Sequence, residues 1–519
     1  MPRHLQMAGS SGARHGPWAM SVWLLPVIGC CVSCDWQVFQ VHPFVEATAD
    51  QLPQRFRSVA RKISLTGLQN DWIHQAIAVA TTRQDAATVT LGLQGPPEIR
   101  RHVRLRVVGF IKQDNLGYVL DPIFDNPGAL DVDRYRQYMR NFGNIHGFPT
   151  LTVTPQDPAV VWITADTRGL PAGRYDGSLR ILGRDAAVEL PLELTVGPYA
   201  LPEDDPLLVW GTHWLPSAPT REDGARLLLE YGINTCHGDA ADQEMKNMEI
   251  SHAAGFKFFL FVFAPSWKGA GPDEADLAAA DRRIAEIKAF VEKHRLQPRQ
   301  WAFYLIDEPS DRQVPKIVKW CEYIRQKWPE ARFFFDLGWT GTFPHNTGNT
   351  VDGTLKPLLP YTSVWLAYSA WFTDDQSSVS IPLLKRHGDQ VWFYECLDFK
   401  YGRRPSVGLD WYRTAAWTAA RYRLQGMAWY ALNAYQQSPW DSKGNEAGCI
   451  YDTIPARSLE ALRQGIQEYK RIHELGRLGV AEAAIQGFVD RALGARSVQD
   501  IDAVRREMDD MLVAMAGRR

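Results

Sequence analysis

The sequence has no excess of either charge and no run of basic residues. Its 57 lysines and arginines nearly balance 59 aspartates and glutamates, which gives a formal net charge of −2. Proteins that bind nucleic acids concentrate lysine and arginine on one face or along one segment. We therefore expect no nucleic-acid partner.

The seven cysteines lack the spacing of a metal site or of a disulfide framework. Cys30, Cys31 and Cys34 lie close to the N-terminus, and the other four are scattered through the chain. Structural zinc sites and small disulfide-rich domains use closely paired or regularly spaced cysteines. The sequence thus predicts no metal ligands, and nothing in it indicates another cofactor.

The uncharged run near the N-terminus is too short for a transmembrane helix. Residues 21–34, SVWLLPVIGCCVSC, follow Arg3 and Arg14 and carry no charge. This length is typical of the apolar region of a signal peptide, whereas a membrane-spanning helix needs about 20 residues. We interpret residues 1–34 as a signal peptide or lipoprotein leader.

The end of this leader carries cysteines instead of a small-residue cleavage site. Residues 27–30, VIGC, resemble a bacterial lipobox, and the sequence CVSC that ends at Cys34 is a weaker copy. We expect an exported protein, periplasmic, cell-surface or secreted, whose membrane contact is limited to a lipid anchor on Cys30 or Cys34. In the alternative interpretation, the leader is disordered and results from an early start codon, and Met20 is the true start. The sequence does not indicate an oligomeric state.

Aromatic residues are abundant, with 19 tryptophans, 18 tyrosines and 22 phenylalanines. Large aromatic side chains fill cores, and they also offer flat surfaces on which the C–H faces of sugar rings can stack. The count alone leaves both interpretations open.

Residues 35–203 predict an antiparallel β-sandwich domain. Short apolar or alternating runs such as ATVTLGL, VRLRVVGFI and AVELPLELTV are separated by turn sequences such as QGPP, DNPG and LGRD. Several short strands at this spacing are typical of a sandwich. Residues 199–206, YALPEDDP, have the composition of a linker.

Residues 204–480 alternate apolar strands with helical segments, and eight such units can be counted. Eight strand–helix units in about 270 residues predict a (β/α)8 TIM barrel. The helix of the fifth unit, LKPLLPY at residues 355–361, is poorly defined, so an open doubly wound sheet is the alternative. Residues 481–519 predict a C-terminal helical extension.

The fourth strand of the predicted barrel, WAFYLIDEPSD at residues 301–311, ends in two adjacent acids, Asp307 and Glu308. The carboxyl ends of barrel strands line the active-site mouth. Glycosidic bond cleavage needs one carboxylic acid to protonate the leaving oxygen and one negative group near the anomeric carbon. The alternative is structural: Asp307 caps the next turn, and Glu308 pairs with an arginine.

Several segments together resemble glycoside hydrolase family 123, the N-acetyl-β-galactosaminidase type. They are LIDEP at the fourth strand, GMAWYALNAYQQSPWD at the eighth strand, SLEALRQGIQEYKRIHEL in the last helix of the barrel, and YVLDPIFD and VVWITADTRGLPAGRYDGSLRI in the sandwich. The similarity spans residues 63–515. The last helix departs from the family pattern at Gln464, where the family has glutamate, and at Gln467-Glu468, where it has Glu-Asp.

The resemblance implies a retaining enzyme in which the 2-acetamido oxygen of the substrate attacks the anomeric carbon. Glu308 would be the acid/base, and Asp307 would orient and stabilise the acetamido nitrogen. The substrate class implied is an N-acetyl-β-hexosaminide, above all a β-N-acetylgalactosaminide, within a glycan or glycolipid.

Other polar and aromatic residues at predicted strand ends are candidates for contact with the sugar, and packing in the core is the alternative for each aromatic. The candidates are His213, Trp214, His237, Asp239, Trp339, Tyr368, Trp371, Tyr394, Glu395, Asn433, Tyr435 and Trp440. Trp267, Asp336 and Asp398 also lie at strand ends, without an assigned role.

Two rival functions stay open. Glu395, at the end of the seventh strand, is a candidate nucleophile for ordinary double displacement with Glu308 as acid/base. Retaining enzymes of that kind hold the two carboxyl groups about 5 Å apart. The residue parity of the strand leaves open whether Tyr394 or Glu395 faces the cleft. A non-catalytic glycan-binding lipoprotein of the cell surface is the other alternative.

Overall fold

A computed structural model of the protein describes residues 36–44, 58–82, 87–113, 117–125, 152–153, 158–183, 187–211, 220–238, 244–263, 274–338, 350–373, 377–396, 409–430, 449–451 and 454–517. The predicted leader, residues 1–34, lies outside this description. The chain from Asp35 to Arg519 forms one compact unit. Among the described helices, none combines the length and the apolar composition that crossing a membrane requires.

In its described residues, the first part of this unit consists mainly of strands. These are β1 (Trp36–Val41), β2 (Ile63–Gln69), β3 (Trp72–Thr81), β4 (Ala87–Thr88), β5 (Thr90–Gln94), β6 (Val103–Gln113), β7 (Gly117–Asp125), β8 (Thr152–Val153), β9 (Ala159–Asp166), β10 (Gly173–Leu182) and β11 (Ala187–Ala200), with helix α1 (Pro97–His102) between β5 and β6.

Two sheets pack face to face, as the sandwich prediction requires. One is antiparallel throughout, in the order β1-β3-β9-β6-β7, and the other has the order β2-β11-β10-β5. Strand β2 runs parallel to β11, so the sequence-based expectation of a wholly antiparallel sandwich was wrong for this pair. Alternating side chains along β11 point into a shared core with Ile77, Val161 and Leu179.

The second part contains eight parallel strands and their helices. The strands are β12 (Leu208–Trp210), β13 (Thr235–His237), β14 (Phe258–Val262), β15 (Trp301–Tyr304), β16 (Phe333–Leu337), β17 (Thr362–Tyr368), β18 (Gln390–Cys396) and β19 (Gly426–Tyr430). The helices are α2 (Arg221–Glu230), α3 (Glu244–Ala254), α4 (Glu274–Lys293), α5 (Val314–Lys327), α6 (Lys356–Leu358), α7 (Ala370–Thr373), α8 (Ser377–His387) and α9 (Leu409–Arg421). A short antiparallel pair, β20 (Ile450–Tyr451) and β21 (Ile454–Pro455), follows β19.

The strand order β12-β19-β18-β17-β16-β15-β14-β13 is that of a barrel, not of an open doubly wound sheet. Asn234 joins the two end strands. Its backbone N–H donates to Val209 O at 3.1 Å, its side chain accepts from Val209 N at 2.9 Å, and its amide donates to Leu207 O at 2.9 Å. Inside, Phe258 and Phe334 lie edge-on to Trp392, with ring centroids 5.0 and 5.6 Å apart. Aromatic residues therefore fill the barrel core.

In the described residues of the fifth unit, a π-helical turn, Val351–Leu355, is followed by the three-residue helix α6. This agrees with the weak helical pattern of the sequence there. The first helix, α2, begins as its sequence indicates, because the Thr220 hydroxyl caps it by accepting from Asp223 N at 3.1 Å.

Three helices complete the chain: α10 (Arg457–Arg477), α11 (Glu482–Leu493) and α12 (Val498–Ala516). Helix α10 is buried on nearly all sides, and its charged residues pair with charges from other elements. Glu460 contacts Arg106 of β6 and Arg463 of its own helix, and Arg471 contacts Asp71 next to β3. Helix α10 thus connects the sandwich to the barrel through buried ion pairs.

Candidate active site

Asp307 and Glu308 lie at the carboxyl end of β15, the mouth of the barrel. The strand pairing ends at Tyr304. The next two residues, Leu305 and Ile306, are buried, whereas Asp307 is exposed and Glu308 is half-buried. Glu308 has φ +40°, in the left-handed region that non-glycine residues rarely occupy. This turn breaks the strand alternation, so both acids can face the cleft. Backbone strain of this kind concentrates at functional sites.

Tyr304, the last residue of β15, contacts two carboxyl groups through one hydroxyl. Its Oη lies 2.9 Å from Asp307 Oδ1 and 2.8 Å from Asp336 Oδ2. Burial, followed by the charges of Asp336 and Asp307, raises the pKa of the Tyr304 hydroxyl well above its ordinary value. The phenol therefore keeps its proton at neutral pH and serves as a hydrogen-bonding group.

Asp336 lies on the neighbouring strand β16 and is buried. Its Oδ1 accepts the backbone N–H of Glu308 at 2.9 Å, which holds the left-handed turn in place. Burial first, and then the nearby Asp307 and Glu308, raise the pKa of the Asp336 carboxyl well above its ordinary value. Asp336 therefore differs chemically from a surface aspartate.

Tyr394, on β18, donates its hydroxyl to Glu308 Oε1. Tyr368 of β17 lies edge-on to Tyr394, with ring centroids 5.2 Å apart. Each acid of the Asp307-Glu308 pair is thus contacted by its own tyrosine, and those tyrosines come from strands on different sides of the mouth.

The position of Tyr394 determines the parity of β18. Successive side chains in a strand point to opposite faces of the sheet. Because Tyr394 reaches Glu308 inside the mouth, this alternation predicts that the side chain of Glu395, which is half-buried, lies on the helix side of the barrel. The structure thus brings Tyr394 to the acid pair, and the role of Glu395 stays a prediction.

His237 ends β13 beside the same cluster. Its ring stacks on Trp210 of β12, with centroids 5.1 Å apart and an interplanar angle of 22°. It also lies edge-on to Tyr304 at 5.1 Å. His237 and Trp210 therefore form an aromatic wall beside Tyr304.

Trp371 does not take the expected position on the wall of the cleft. It lies in α7, is fully buried, and donates its indole N–H to Gly338 O at 2.6 Å. With no exposed face, its role in this structure is packing, which was the alternative for each aromatic candidate.

Other predicted substrate contacts lie outside the described residues: His213, Trp214, Asp239, Trp339, Asn433, Tyr435 and Trp440. They stay predictions. In the part of the chain that the structure describes, no group of three or more histidine, cysteine, aspartate or glutamate side chains is arranged to hold a metal ion.

Sequence reasoning missed Tyr304 and Trp210 and assigned no role to Asp336. Tyr304 did carry a signal, because a tyrosine in a buried strand needs a partner for its hydroxyl. Asp336 ends an apolar strand at the mouth, but its link to the neighbouring strand depends on register, which the sequence does not show.

Comparison with known proteins gives a clear result only at the level of structure. No model of a known protein family matches the chain, and no curated protein matches it either. A family 123 glycoside hydrolase from Clostridium perfringens, described in a study of glycolipid glycan hydrolysis, superimposes with a TM-score of 0.63 and 9% sequence identity. The match covers 93% of this chain and 98% of that chain. The chain shares its fold with a family 123 glycoside hydrolase.

Other solved structures match more weakly. A β-glucuronidase from Parabacteroides merdae has a TM-score of 0.34 and 11% identity over 79% of this chain and 52% of that chain. An endo-β-1,4-mannanase from Thermotoga petrophila has a TM-score of 0.34 and 11% identity over 51% and 77%. We infer nothing from similarities this weak. The family 123 match confirms, for the fold, the resemblance indicated by the sequence motifs.

Proposed function

We propose that the protein is a retaining glycoside hydrolase that cleaves N-acetyl-β-hexosaminides, with β-N-acetylgalactosaminides as the first expectation, through the acetamido group of the substrate. The observation that carries the proposal is the adjacent pair Asp307-Glu308 at a barrel mouth, with each acid contacted by a tyrosine. The shared fold supports the same reaction class.

In the first step, Glu308 donates its proton to the glycosidic oxygen as the bond from the anomeric carbon to that oxygen breaks. The acetamido oxygen forms a new bond to the anomeric carbon from the opposite face and gives a cyclic oxazolinium ion. Asp307 accepts the acetamido N–H and offsets the positive charge that develops there. The leaving group departs as an alcohol.

In the second step, Glu308, now a carboxylate, takes a proton from water as the water oxygen attacks the anomeric carbon. The oxazolinium ring opens and the acetamido group is restored. Two displacements at the same carbon retain its configuration. Tyr394 orients Glu308 in both steps, and Tyr304 fixes one oxygen of Asp307.

The double-displacement alternative requires Glu395 beside Glu308. The parity of β18 counts against it, because Tyr394 occupies the inward position and contacts Glu308. We therefore favour attack by the substrate itself. Non-catalytic binding is the remaining alternative, and it gives no role to a strained turn that presents two acids.

The test is a panel of chromogenic glycosides: N-acetyl-β-galactosaminide, N-acetyl-β-glucosaminide and plain β-galactoside. We expect turnover of an N-acetylated member and a loss of at least about a hundredfold in Glu308→Gln, the scale of general acid catalysis. Glu395→Gln is the matched control and should stay close to wild type. Calorimetric binding of an N-acetylated sugar without turnover of any panel member would overturn the proposal in favour of non-catalytic binding.

A further inference from the structure

The two contacts of the Tyr304 hydroxyl group limit how the protons can be distributed among the neighbouring carboxyl groups. A phenol has one hydroxyl proton, so it can donate one hydrogen bond, whereas its oxygen can accept others. Two carboxyl oxygens lie at hydrogen-bonding distance from that one hydroxyl, at 2.9 and 2.8 Å. If both carboxyl groups were ionised, one of these contacts would place two proton-free oxygens against each other. A second proton is therefore needed in the cluster.

The structure indicates which carboxyl group carries this proton. Asp307 is exposed to water at the mouth, whereas Asp336 is only 3% exposed. An ionised carboxylate loses much more hydration free energy on burial than a neutral acid does, so the proton belongs on the buried group. Asp336 and Asp307 also interact directly with each other, which adds to the cost of ionising both.

We propose that Asp336 is a neutral positioning residue, whose Oδ2–H donates to Tyr304 Oη and so directs the Tyr304 hydroxyl proton to Asp307. Its Oδ1 meanwhile accepts the Glu308 N–H at 2.9 Å. One buried acid thus orients both members of the catalytic pair. The inference rests on the proposed function for its catalytic meaning, but the protonation of Asp336 can be tested without any substrate.

This arrangement has a consequence for the acid pair. Because Asp307 Oδ1 receives the Tyr304 hydroxyl proton, the second carboxyl oxygen of Asp307 is the one that can accept an acetamido N–H. Because Oδ1 of Asp336 holds the peptide N–H, Glu308 keeps its left-handed conformation. Asp336 contacts no reacting atom and acts only through these two residues.

The groups that face Asp336 in the described part of the chain come from β15 and the turn after it, and two further strands contact those groups. Tyr304, Asp307 and Glu308 face it from β15 and the turn after that strand. Beyond them, Tyr394 of β18 contacts Glu308, and His237 of β13 packs against the ring of Tyr304. The titration of Asp336 is therefore governed by acids and phenols, and a change at any of them should shift it.

The first experiment compares Asp336→Asn with Asp336→Ala. The amide reproduces both contacts of a neutral acid, because its oxygen accepts from Glu308 N and its NH2 donates to Tyr304. We expect kcat of Asp336→Asn within about threefold of wild type, and a fall of about tenfold to a hundredfold in Asp336→Ala, which leaves a peptide N–H unpaired. KM should change little in either variant.

The second experiment measures melting temperature against pH in the absence of substrate. An aspartate whose pKa is raised in the folded state keeps a proton that the unfolded chain releases above about pH 4. The folded state then binds more protons, so this group lowers stability as pH rises. Asp336→Asn lacks the titration, and we expect its melting temperature relative to wild type to increase as the pH rises above about 4.

Each of the following results would contradict either the proposal for Asp336 or the proposed function. Loss of more than about a hundredfold in kcat by folded Asp336→Asn would show that an ionised Asp336 is needed. Melting temperatures that run parallel with pH would show that Asp336 titrates normally, and failure of the isosteric amide to fold would also contradict the proposal. If wild type turns over no N-acetylated glycoside, the proposed function fails, whereas the melting experiment still tests Asp336.

Discussion

Buried carboxyl groups have different kinds of partner at the barrel mouth and along helix α10. Glu460 of α10 is fully buried between Arg106 and Arg463. Burial alone would raise its pKa, but the two guanidinium groups overcome burial and hold the pKa far below its ordinary range. At the mouth, Asp336 is contacted by a phenol, a peptide N–H and other acids, and its pKa is raised.

The same contrast extends along α10. Glu468 accepts from Arg413 Nε at 2.9 Å and from Trp417 Nε1 at 2.6 Å, and Arg471 donates to Asp509 Oδ1 at 2.6 Å. Arginine keeps its charge at any physiological pH, so each of these carboxylates lies against a permanent positive charge. Such pairs hold the sandwich, barrel and terminal helices together, and removal of one partner is costly.

The comparison shows how one residue type serves two purposes. Arginine partners fix a carboxylate in one protonation state, which suits an ion pair that holds parts of the fold together. Tyrosine and carboxyl partners leave protons that can be shared, which suits proton transfer to a substrate. The following changes should affect activity at the mouth and stability along α10.

The largest effect is expected for Glu308→Gln. Loss of the acid/base should lower kcat by at least about a hundredfold. Its melting temperature should stay near that of wild type, because Tyr394 can donate to the amide oxygen as it does to the carboxylate. Steady-state kinetics measure the fall in kcat, and thermal melting measures the stability. A large fall in melting temperature would mean that the contacts of Glu308 also stabilise the fold.

Glu460→Gln should give the opposite pattern. Without the Glu460 carboxylate, buried Arg106 loses this charged partner, and Arg463 keeps only the more distant Glu230 at 3.6 Å. We expect the free energy of unfolding to fall by about 3–5 kcal/mol. The matched control is Glu507→Gln, which breaks an exposed pair with Arg491 and should cost less than about 1 kcal/mol. Urea unfolding curves measure both, and equal losses in the two variants would refute the contrast.

Asp307→Asn separates the acetamido route from a protein nucleophile. The amide cannot supply the negative charge that stabilises the acetamido nitrogen, so hydrolysis of N-acetylated glycosides should fall by about tenfold to a hundredfold, the worth of a charged hydrogen bond. Full activity of this variant on glycosides without the acetamido group would instead support Glu395 as nucleophile.

The smallest effect concerns His74, which lies 3.6 Å from Glu460. Burial lowers the pKa of His74 to about 3, despite the favourable charge of Glu460. The unfolded chain binds a proton below pH 6.5 that the folded chain refuses, so stability should fall as pH falls. The slope from this group is about 1.4 kcal/mol per pH unit at most.

His74→Phe keeps an aromatic ring between Phe44 and Trp162 and removes the titration. Between pH 6.5 and about pH 5.5, where most aspartate and glutamate side chains of the unfolded chain are still ionised, its stability should depend less on pH than that of wild type. Identical pH profiles in urea unfolding would contradict the assignment of His74.

The sequence predicted the barrel because its strands and helices alternate, and local periodicity is visible in one chain. Even the weak fifth helix corresponds to a shortened element, Val351–Leu355 with α6. The place of Asp307 and Glu308 followed from the strand before them. The inward position of Tyr394 could not be predicted, because it depends on where β18 starts within a long apolar run.

Contacts between elements distant in sequence account for the other differences. Asp336 is 28 residues from Glu308, and only the register of β15 against β16 brings them together. Arg106 and Glu460 are separated by 354 residues. A helical sequence rich in charged residues predicts a helix that is exposed on the surface. The burial of α10 therefore could not be predicted from its local periodicity.

The proposed mechanism requires that the substrate supplies the nucleophile at a barrel mouth where carboxyl and phenol groups share protons. Glycosides whose acetamido methyl group carries one, two or three fluorines test it directly, because fluorine withdraws electrons from the acetamido oxygen while the leaving group stays the same. We expect kcat of the wild-type protein to fall with each added fluorine. A kcat that does not change with fluorination would place the nucleophile on the protein and contradict this mechanism.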